Sequence, residues 1–266
     1  MTTPIALTIA GSDSSGGAGI QADLKTFAAL GVYGASAITA LTAQNTKGVT
    51  GIHVVPAEFL RAQIDAVFAD LEVGAVKIGI VAQLASIDAI VDALKHWSPK
   101  HVVLDPVMVA TSGGRLLAAE AVEALRQKLI PLATIITPNL PEAAALLDEP
   151  VATSVAAIES QGQKLLSLGC PAVLIKGGHG AGSESTDYLI RASGSVALSA
   201  PRVATQNTHG TGCSLSSAIA AELAKGAELE IALRNAKDFI SVAIAAADRF
   251  TVGHGQGPIH HFHRLY

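Results

Sequence analysis

Short apolar runs alternate along this chain with longer segments in which apolar residues recur at helical spacing. The apolar runs predict strands at 5–10, 36–41, 76–80, 101–104, 134–137 and 172–175, with two shorter strands at 187–191 and 195–198. The amphipathic segments predict helices at 21–30, 58–70, 84–96, 119–129, 154–168, 212–225 and 229–247. Strands that alternate with helices indicate an α/β fold with a parallel sheet covered on both faces. No linker or internal repeat interrupts the alternation, so residues 1–266 are predicted to form one domain.

The composition agrees with such a layered fold. Hydrophobic residues make up 50% of the 266 residues, whereas charged residues make up 15% and aromatic residues 4%. The core must therefore consist mainly of Ala, Val, Leu and Ile, which suits parallel strands between helices. No apolar run is long enough to cross a membrane, and no basic residues precede the N-terminal run as they would in a signal peptide. We therefore expect a cytoplasmic protein without a membrane partner.

Charge and cysteine usage exclude several classes of protein. The net charge is −4 and there is no dense Lys/Arg run, so a nucleic-acid partner is not expected. Cys170 and Cys213 are too few for a disulfide framework or a zinc ligand set. The C-terminal histidines match no zinc spacing, and we expect them to hydrogen-bond locally in a docked tail. They are His254, His260, His261 and His263.

Polar residues follow the ends of several predicted strands. Ligands of open parallel sheets bind beyond the carboxyl ends of the strands, so these residues predict a site at one edge. Asp105 could hold Mg²⁺ through water or simply cap a loop. Asn139 and Glu142 could organise Mg²⁺ and phosphate, or Glu142 could cap a helix that Pro141 opens as its first residue. Lys176 could reach a phosphate as a point charge, or it could merely be exposed.

Two glycine-rich segments are candidates for anion binding. The loop 11–19 is neither a Walker A loop nor a dinucleotide fingerprint, and it is either an anion-binding nest or a flexible turn. Asp23 follows this loop near the start of the predicted helix. A carboxylate in a first turn is favoured by the helix dipole, so Asp23 alone does not indicate a ligand site.

The turn 207–213 leads into an apolar helix, whose free N–H groups could stabilise a transferring phosphoryl group. Cys213 lies in the first turn of that helix, where a lowered thiol pKa is expected. The alternative is a buried, small cysteine beside a glycine-rich turn.

Six motifs in this order closely resemble the hydroxymethylpyrimidine/phosphomethylpyrimidine kinases of thiamine biosynthesis, within the ribokinase superfamily. The resemblance covers essentially the whole chain, and its specificity lies in the ordered set of motifs. They span residues 11–23, 44–45, 138–142, 176–179, 209–213 and 257–263.

The resemblance implies a ribokinase-like three-layer α/β/α fold with a mostly parallel central sheet. It also implies Mg-ATP-dependent phosphorylation of 4-amino-5-hydroxymethyl-2-methylpyrimidine and then of its monophosphate, usually by a homodimer. A requirement for a monovalent cation is left open.

The resemblance also assigns roles to particular residues. Gln44 would hydrogen-bond the pyrimidine, in a pocket lined by Gly11, Asp23 and Val107. Asn139 and Glu142 match the Mg²⁺/phosphate motif, and together with Asp105, a candidate from its strand-end position, Glu142 would hold Mg²⁺, partly through water. The remaining assignments are phosphate contacts by Asn139, Lys176 and Thr208, an anion hole formed by Gly210, Thr211 and Gly212, and a catalytic position at Cys213.

The cysteine in this turn leaves alternatives open. Many related sugar kinases have an aspartate base where this chain has Cys213, and a thiol with a pKa of about 8.5 is a poor base for an alcohol. Pyridoxal kinase activity and catalysis-free pyrimidine binding remain rival interpretations, although the Gln44 amide suits an aminopyrimidine. A lid that excludes water is expected, and segments 109–115 and 180–186 are its candidates.

Overall fold

The computed structural model describes residues 2–81, 83–108, 119–178 and 182–265. The strands in these ranges are β1 (Ile5–Asp13), β2 (Tyr33–Asn45), β3 (Gly48–Val54), β4 (Ala75–Ile78), β5 (Val102–Leu104), β6 (Ile135–Ile136), β7 (Ala172–Ile175), β8 (Glu184–Arg191) and β9 (Gly194–Pro201). The helices are α1 (Gly19–Ala29), α2 (Ala57–Phe68), α3 (Leu84–Trp97), α4 (Ala119–Ala124), α5 (Leu140–Leu147), α6 (Val155–Leu166), α7 (Thr211–Ala224) and α8 (Leu229–Ala245).

All the described strands belong to one sheet, in the order β3-β2-β1-β4-β5-β6-β7-β8-β9. Neighbouring strands from β2 to β7 run parallel. The edges are antiparallel, with β3 beside β2 on one side and β8 and β9 beyond β7 on the other. The carboxyl ends of the parallel strands therefore open on the same edge of the sheet.

Helices pack on both faces of this sheet and create two separate cores. On one face α2, α3 and α6 cover the sheet with residues such as Leu60, Ile90 and Leu165. On the other face α1, α7 and α8 contribute Phe27, Ile219 and other buried side chains. The mostly parallel three-layer α/β/α fold expected from the sequence is confirmed. Among the described residues, none of the helices combines the length and apolarity needed to cross a bilayer.

The main error of the sequence prediction lies at the β3 edge. Strand β2 is longer than expected, and β3 was not predicted because most of its residues are exposed and it lacks a buried apolar run. The other differences are local. The predicted helix 119–129 is α-helical only as far as Ala124 and continues as a π-helical turn, Leu125–Leu129. Strand β1 continues through an irregularity after Ala10 instead of ending there.

Candidate active site

The carboxyl ends of β1, β5 and β7 converge on the N-terminus of α7. A Cβ atom added to Gly212 would lie 3.3 Å from Lys176 Nζ and 3.8 Å from Asp105 Oδ2. Asn139, which follows β6, forms a backbone bridge with Lys176. Parallel topology thus brings together three strand-end residues that are far apart in the sequence, as the sequence pattern predicted.

The N-terminus of α7 has the geometry of an anion site. Gly210 is the N-cap with a φ of 78°, and no side chain caps the helix. Only glycine fits there, because a Cβ atom would overlap the carbonyl oxygen of Gly17. Thr211 N donates to Thr208 O at 3.2 Å. The next two amides, of Gly212 and Cys213, lie in the first turn, where a helix supplies no acceptor of its own.

A lysine joins two carboxylates next to this helix start. Lys176 Nζ lies 2.7 Å from Asp105 Oδ1 and 3.8 Å from Glu142 Oε2. Burial raises the pKa of Glu142 to about 7, and Asp105 adds to the rise while Lys176 opposes it. The pKa of Lys176 is raised, since the two carboxylates outweigh the effect of burial. One lysine therefore faces two acidic groups, and this cluster can accommodate further positive charge.

Glu142 has a local structural role as well as a place in this cluster. Asn139 is the N-cap of α5, and its Oδ1 accepts from Glu142 N at 2.8 Å. In return Asn139 N donates to Glu142 Oε2 at 2.8 Å, which completes a capping box. The helix begins at Leu140, so the prediction that Pro141 is its first residue was wrong by one position. The capping box holds the Glu142 carboxylate rigidly towards Lys176.

Asp23 lies beneath the site rather than on its surface. Its side chain is fully buried, and Lys77 Nζ donates to both carboxylate oxygens at 2.8 and 3.0 Å. The hydroxyls of Thr8 and Ser217 each donate to the same carboxylate at 2.6 Å. A substrate could therefore contact Asp23 only through its neighbours, which does not support the predicted pocket-lining role. Sequence reasoning missed Lys77, although a lysine within an apolar strand is itself a signal of a buried partner.

Cys213 does not have the lowered thiol pKa that its place at a helix start suggested. Burial raises its pKa, and the nearby carboxylates of Asp23 and Asp105 raise it further. Lys77 and a hydrogen bond from the Gly19 backbone oppose this rise without overcoming it. The expectation was wrong because the thiol is buried and because two carboxylates lie close to the first turn of α7. The thiol is neutral near pH 7.

Gln44 lies near the end of β2 and contacts His209, which in turn contacts Asp13; neither of these two residues was assigned a role from the sequence. Its Nε2 lies 3.3 Å from Nε2 of His209, and the same ring nitrogen lies 3.0 Å from Asp13 Oδ2. Burial opposes ionisation of Asp13, but hydrogen bonds from His209, Ser15 and Ala18 lower its pKa to about 2. The signal for Asp13 was its position at a strand end, and the signal for His209 was its place in the glycine-rich turn.

Two other predicted pocket residues lie along neighbouring strand ends. Gly11 lies in β1, where a Cβ atom would come within 3.6 Å of Ala40 O. Val107 is half-buried just beyond β5, and its N–H donates to Asp105 O at 2.8 Å. Both therefore belong to the edge at which Gln44 and Asp105 are found.

The lid candidate 109–115 and residues 180–181 of the second lid candidate lie outside the described residues.

The C-terminal segment packs against the start of α7. His261 Nε2 lies 2.8 Å from Ser214 Oγ, and His209 forms a backbone bridge with Pro258. Burial lowers the pKa of His261 to about 3, so this imidazole is neutral. His261 and His263 confirm the prediction of a docked tail with locally bonded histidines, whereas His254 is exposed.

The described residues contain no group of three or more His, Cys, Asp and Glu side chains placed to hold a metal ion. Asp105 and Glu142 nevertheless fit Mg²⁺, which prefers oxygen ligands and commonly binds through one or two carboxylates while keeping several waters. Burial is the main cause of the raised pKa of Glu142, and the neighbouring Asp105 adds to it, so a cation at this carboxylate pair would favour the ionised form. The donor set is therefore compatible with a hydrated magnesium ion.

Comparisons with known proteins agree with this geometry. Residues 13–260 match the phosphomethylpyrimidine kinase family. The chain is 56% identical, over 99% of both chains, to the hydroxymethylpyrimidine/phosphomethylpyrimidine kinase of Rhizobium meliloti. Solved structures similar to it include a Bacillus subtilis pyridoxal kinase in complex with ADP (TM-score 0.91, 37% identity, 100% of both chains). Another is phosphomethylpyrimidine kinase from Clostridium difficile 630 (TM-score 0.80, 47% identity, 90% of this chain and 99% of that one). The chain belongs to the phosphomethylpyrimidine kinase family.

Proposed function

We propose that this protein transfers the γ-phosphoryl group of ATP to 4-amino-5-hydroxymethyl-2-methylpyrimidine, and then phosphorylates the monophosphate to the diphosphate in thiamine biosynthesis. The observation that carries the proposal is the uncapped N-terminus of α7 beside Lys176, in a chain that belongs to this kinase family. We also propose that it acts in the cytoplasm, where ATP is available.

The first turn of α7 and Lys176 would act together on the transferring group. Phosphoryl transfer passes through a loose transition state, so the protein contributes mainly positioning and charge stabilisation. The amides of Gly212 and Cys213 would donate to the equatorial oxygens, and Lys176 would supply a point charge. Thr208 and Asn139 lie at the turn and strand end that flank this cradle, which supports their predicted phosphate contacts.

Asp105 and Glu142 would hold Mg²⁺ partly through water. When bound, Mg²⁺ neutralises charge on the phosphates. The capping box at Asn139 keeps the Glu142 carboxylate in place. Lys176 would then be released from its two carboxylates towards the phosphate.

Cys213 would accept or relay the proton of the substrate alcohol late in the reaction. Its raised pKa argues against a thiolate base in the ground state. In a loose transition state, however, the alcohol becomes acidic only as the new bond forms, so an early base is not needed. The amides of the same turn would meanwhile stabilise the charge of the phosphoryl group.

Pyridoxal phosphorylation is the second candidate function. The TM-score of 0.91 to a pyridoxal kinase over the whole chain supports it. The Gln44 amide favours the aminopyrimidine, because an amide offers a donor and an acceptor side by side to the amino group and the ring nitrogen. A protein that binds pyrimidines without catalysis is the third possibility, and the assembled phosphate cradle argues against it.

One assay separates these three functions. The purified protein is incubated with Mg-ATP and either hydroxymethylpyrimidine, its monophosphate or pyridoxal, and products are identified by mass spectrometry. We expect both pyrimidines to be phosphorylated, and pyridoxal more slowly. Absence of ADP release with every alcohol would leave only the binding function. Repeating the assay with Na⁺ in place of K⁺ tests for a monovalent cation.

We further propose that the protein is a homodimer that uses the β2–β3 edge. Large apolar side chains are exposed there and on the adjacent α2, including Leu41, Ile52 and Phe59. A cluster of this kind on an edge strand is a typical interaction surface. Light scattering after size-exclusion chromatography should give a molecular mass twice that of the chain. Ile52→Lys should lower the measured mass towards that of a monomer. A monomer at micromolar concentration would contradict this assembly.

A further inference from the structure

Gln44 makes hydrogen-bond contacts that conflict with one another as its amide stands. The amide Nε2 lies 3.3 Å from Nε2 of His209, and Oε1 lies 3.2 Å from the hydroxyl of Thr42. The main chain of Gln44 leaves no room for adjustment. Ser14 Oγ accepts from Gln44 N at 2.8 Å and donates to Gln44 O at 2.7 Å. Rotating the amide by half a turn exchanges its nitrogen and oxygen without disturbing these main-chain bonds.

The proton on the His209 ring is determined by Asp13. Asp13 Oδ2 already accepts from the amides of Gly17 and Ala18 at 3.1 and 2.8 Å. It accepts only, because its lowered pKa keeps it ionised near neutral pH. His209 Nε2, 3.0 Å away, must therefore carry a hydrogen and donate it. A ring N–H cannot accept from the amide nitrogen of Gln44, but its hydrogen, already donated to Asp13, can be shared with an amide oxygen at that position as a three-centre bond.

Thr42, on the other side of the amide, favours the same amide orientation as His209. Its hydroxyl has one hydrogen, and the nearer acceptor is Ser12 O at 2.8 Å. The hydroxyl then has only lone pairs to offer to Gln44. It can accept from an amide nitrogen, but it cannot donate to Oε1. Both neighbours therefore favour an amide turned by half a rotation, with oxygen towards His209 and nitrogen towards Thr42.

We infer that His209, held by Asp13, is a positioning residue that locks the Gln44 amide in one orientation and so makes the site selective for a 4-aminopyrimidine over a 4-oxopyrimidine. This inference rests on the proposed kinase function. A 4-aminopyrimidine presents a donor at the amino group and an acceptor at the adjacent ring nitrogen. The 4-oxo compound presents the opposite pattern, an acceptor oxygen beside a ring N–H. A freely rotating amide pairs with either, whereas a locked amide pairs with only one.

The test compares kcat/KM for the aminopyrimidine alcohol with kcat/KM for its 4-oxo counterpart. His209→Phe keeps the ring but removes the donor, and we expect the preference for the amino compound to fall by about tenfold or more, since mispaired groups dominate such discrimination. His209→Gln restores an N–H near the same position and should recover part of the preference. In a Gln44→Ala background, His209→Phe should change the preference no further.

His261→Phe is the matched control. This histidine is also buried against α7, where its ring bonds Ser214 rather than Gln44. It can lower the overall rate, but it should leave the preference between the two pyrimidines unchanged. Thr42→Val provides an independent variant should His209→Phe fail to fold, and it should weaken the preference in the same direction by about threefold, as expected for a lost neutral hydrogen bond.

The outcomes distinguish this inference from the proposed function. A wild-type protein that phosphorylates the aminopyrimidine, with a His209→Phe preference within twofold of wild type, overturns the inference alone. Equal losses of preference in His209→Phe and His261→Phe also overturn it, because they would indicate general loosening of the turn. A wild-type protein that phosphorylates neither alcohol overturns the proposed function, and the inference with it.

Discussion

Two lysine–carboxylate clusters lie close to the start of α7, and they differ in how completely their charges are matched. Beneath the site, Lys77 faces the single carboxylate of Asp23, and both side chains are fully buried. At the strand ends, Lys176 faces two buried carboxylates, and 11% of its own side chain is exposed. The deeper pair is balanced and saturated with hydrogen bonds, whereas the outer cluster has an excess of negative charge.

This difference indicates separate roles for chemically similar groups. A balanced, sealed ion pair has no capacity for a ligand, and breaking it exposes an uncompensated buried charge. An unbalanced pair of carboxylates gains stability when a cation approaches, and a partly exposed lysine can move towards an anion. Four predictions test whether the deeper pair serves the fold and the outer cluster serves catalysis.

The largest effect is expected on stability, from Lys77→Met. It leaves the Asp23 carboxylate buried without a cation and should lower the free energy of unfolding by about 3–5 kcal/mol. Urea denaturation measures this directly. Adding Asp23→Leu removes the orphaned charge and should recover much of the loss. A loss below about 1 kcal/mol for Lys77→Met alone would mean that the deeper pair does not hold the fold.

Lys176→Met should affect activity rather than stability. Removing one preorganised charge from a phosphoryl cradle is expected to lower kcat by about 100- to 1,000-fold. Any loss in the free energy of unfolding should be smaller than that of Lys77→Met, because Glu142, whose pKa is already raised to about 7, can take up a proton in place of the lost cation. Lys225→Met is the control, since this lysine pairs with Glu222 at the far end of α7. Severe unfolding of Lys176→Met with little loss of specific activity would mean that the outer cluster serves the fold rather than catalysis.

Cys213→Ala tests the residue that both clusters influence. If the thiol accepts or relays the proton, we expect kcat to fall by more than about tenfold, equivalent to about 1.4 kcal/mol in the barrier. Cys170→Ala is the control, because that buried cysteine bonds the backbone of Leu165 instead. A smaller loss of kcat in Cys213→Ala would mean that the thiol does not accept the proton. The backbone amides would then be the catalytic contribution of this turn.

Glu142→Gln should show a pH-dependent gain in stability in a metal-free buffer with EDTA. The pKa of Glu142 is raised from 4.5 to about 7, so folding penalises its ionised form. The penalty is fully present above pH 7 and disappears as the pH falls below 4.5. Glutamine avoids it, and should raise the free energy of unfolding by at most about 3 kcal/mol at pH 8, since each pKa unit corresponds to about 1.4 kcal/mol, but not at pH 4.5. An equal difference at both pH values would mean that ionisation of Glu142 is not the cause.

Much of the fold and part of the site could be predicted from local pattern. Apolar runs and helical spacing located the central strands and the long helices, because each buries a face with its own periodicity. The exposed strand β3 has no such pattern, so it was missed. Strand-end positions identified Asp105, Asn139 and Lys176, since parallel strands open on one edge whatever their separation in the chain.

The sequence by itself therefore determined the layered α/β fold, the sheet edge at which a site is expected and the glycine-rich turn at the start of a helix. Only the tertiary structure decided which groups pair. Lys77 meets Asp23 across 54 positions, and His209 meets Asp13 across 196. The raised pKa of Cys213 follows from burial and from two distant carboxylates. Local pattern predicts on which element, and at which end of it, a residue lies. The charge of a side chain, the position of its proton and the orientation of an amide depend on neighbours that folding brings together.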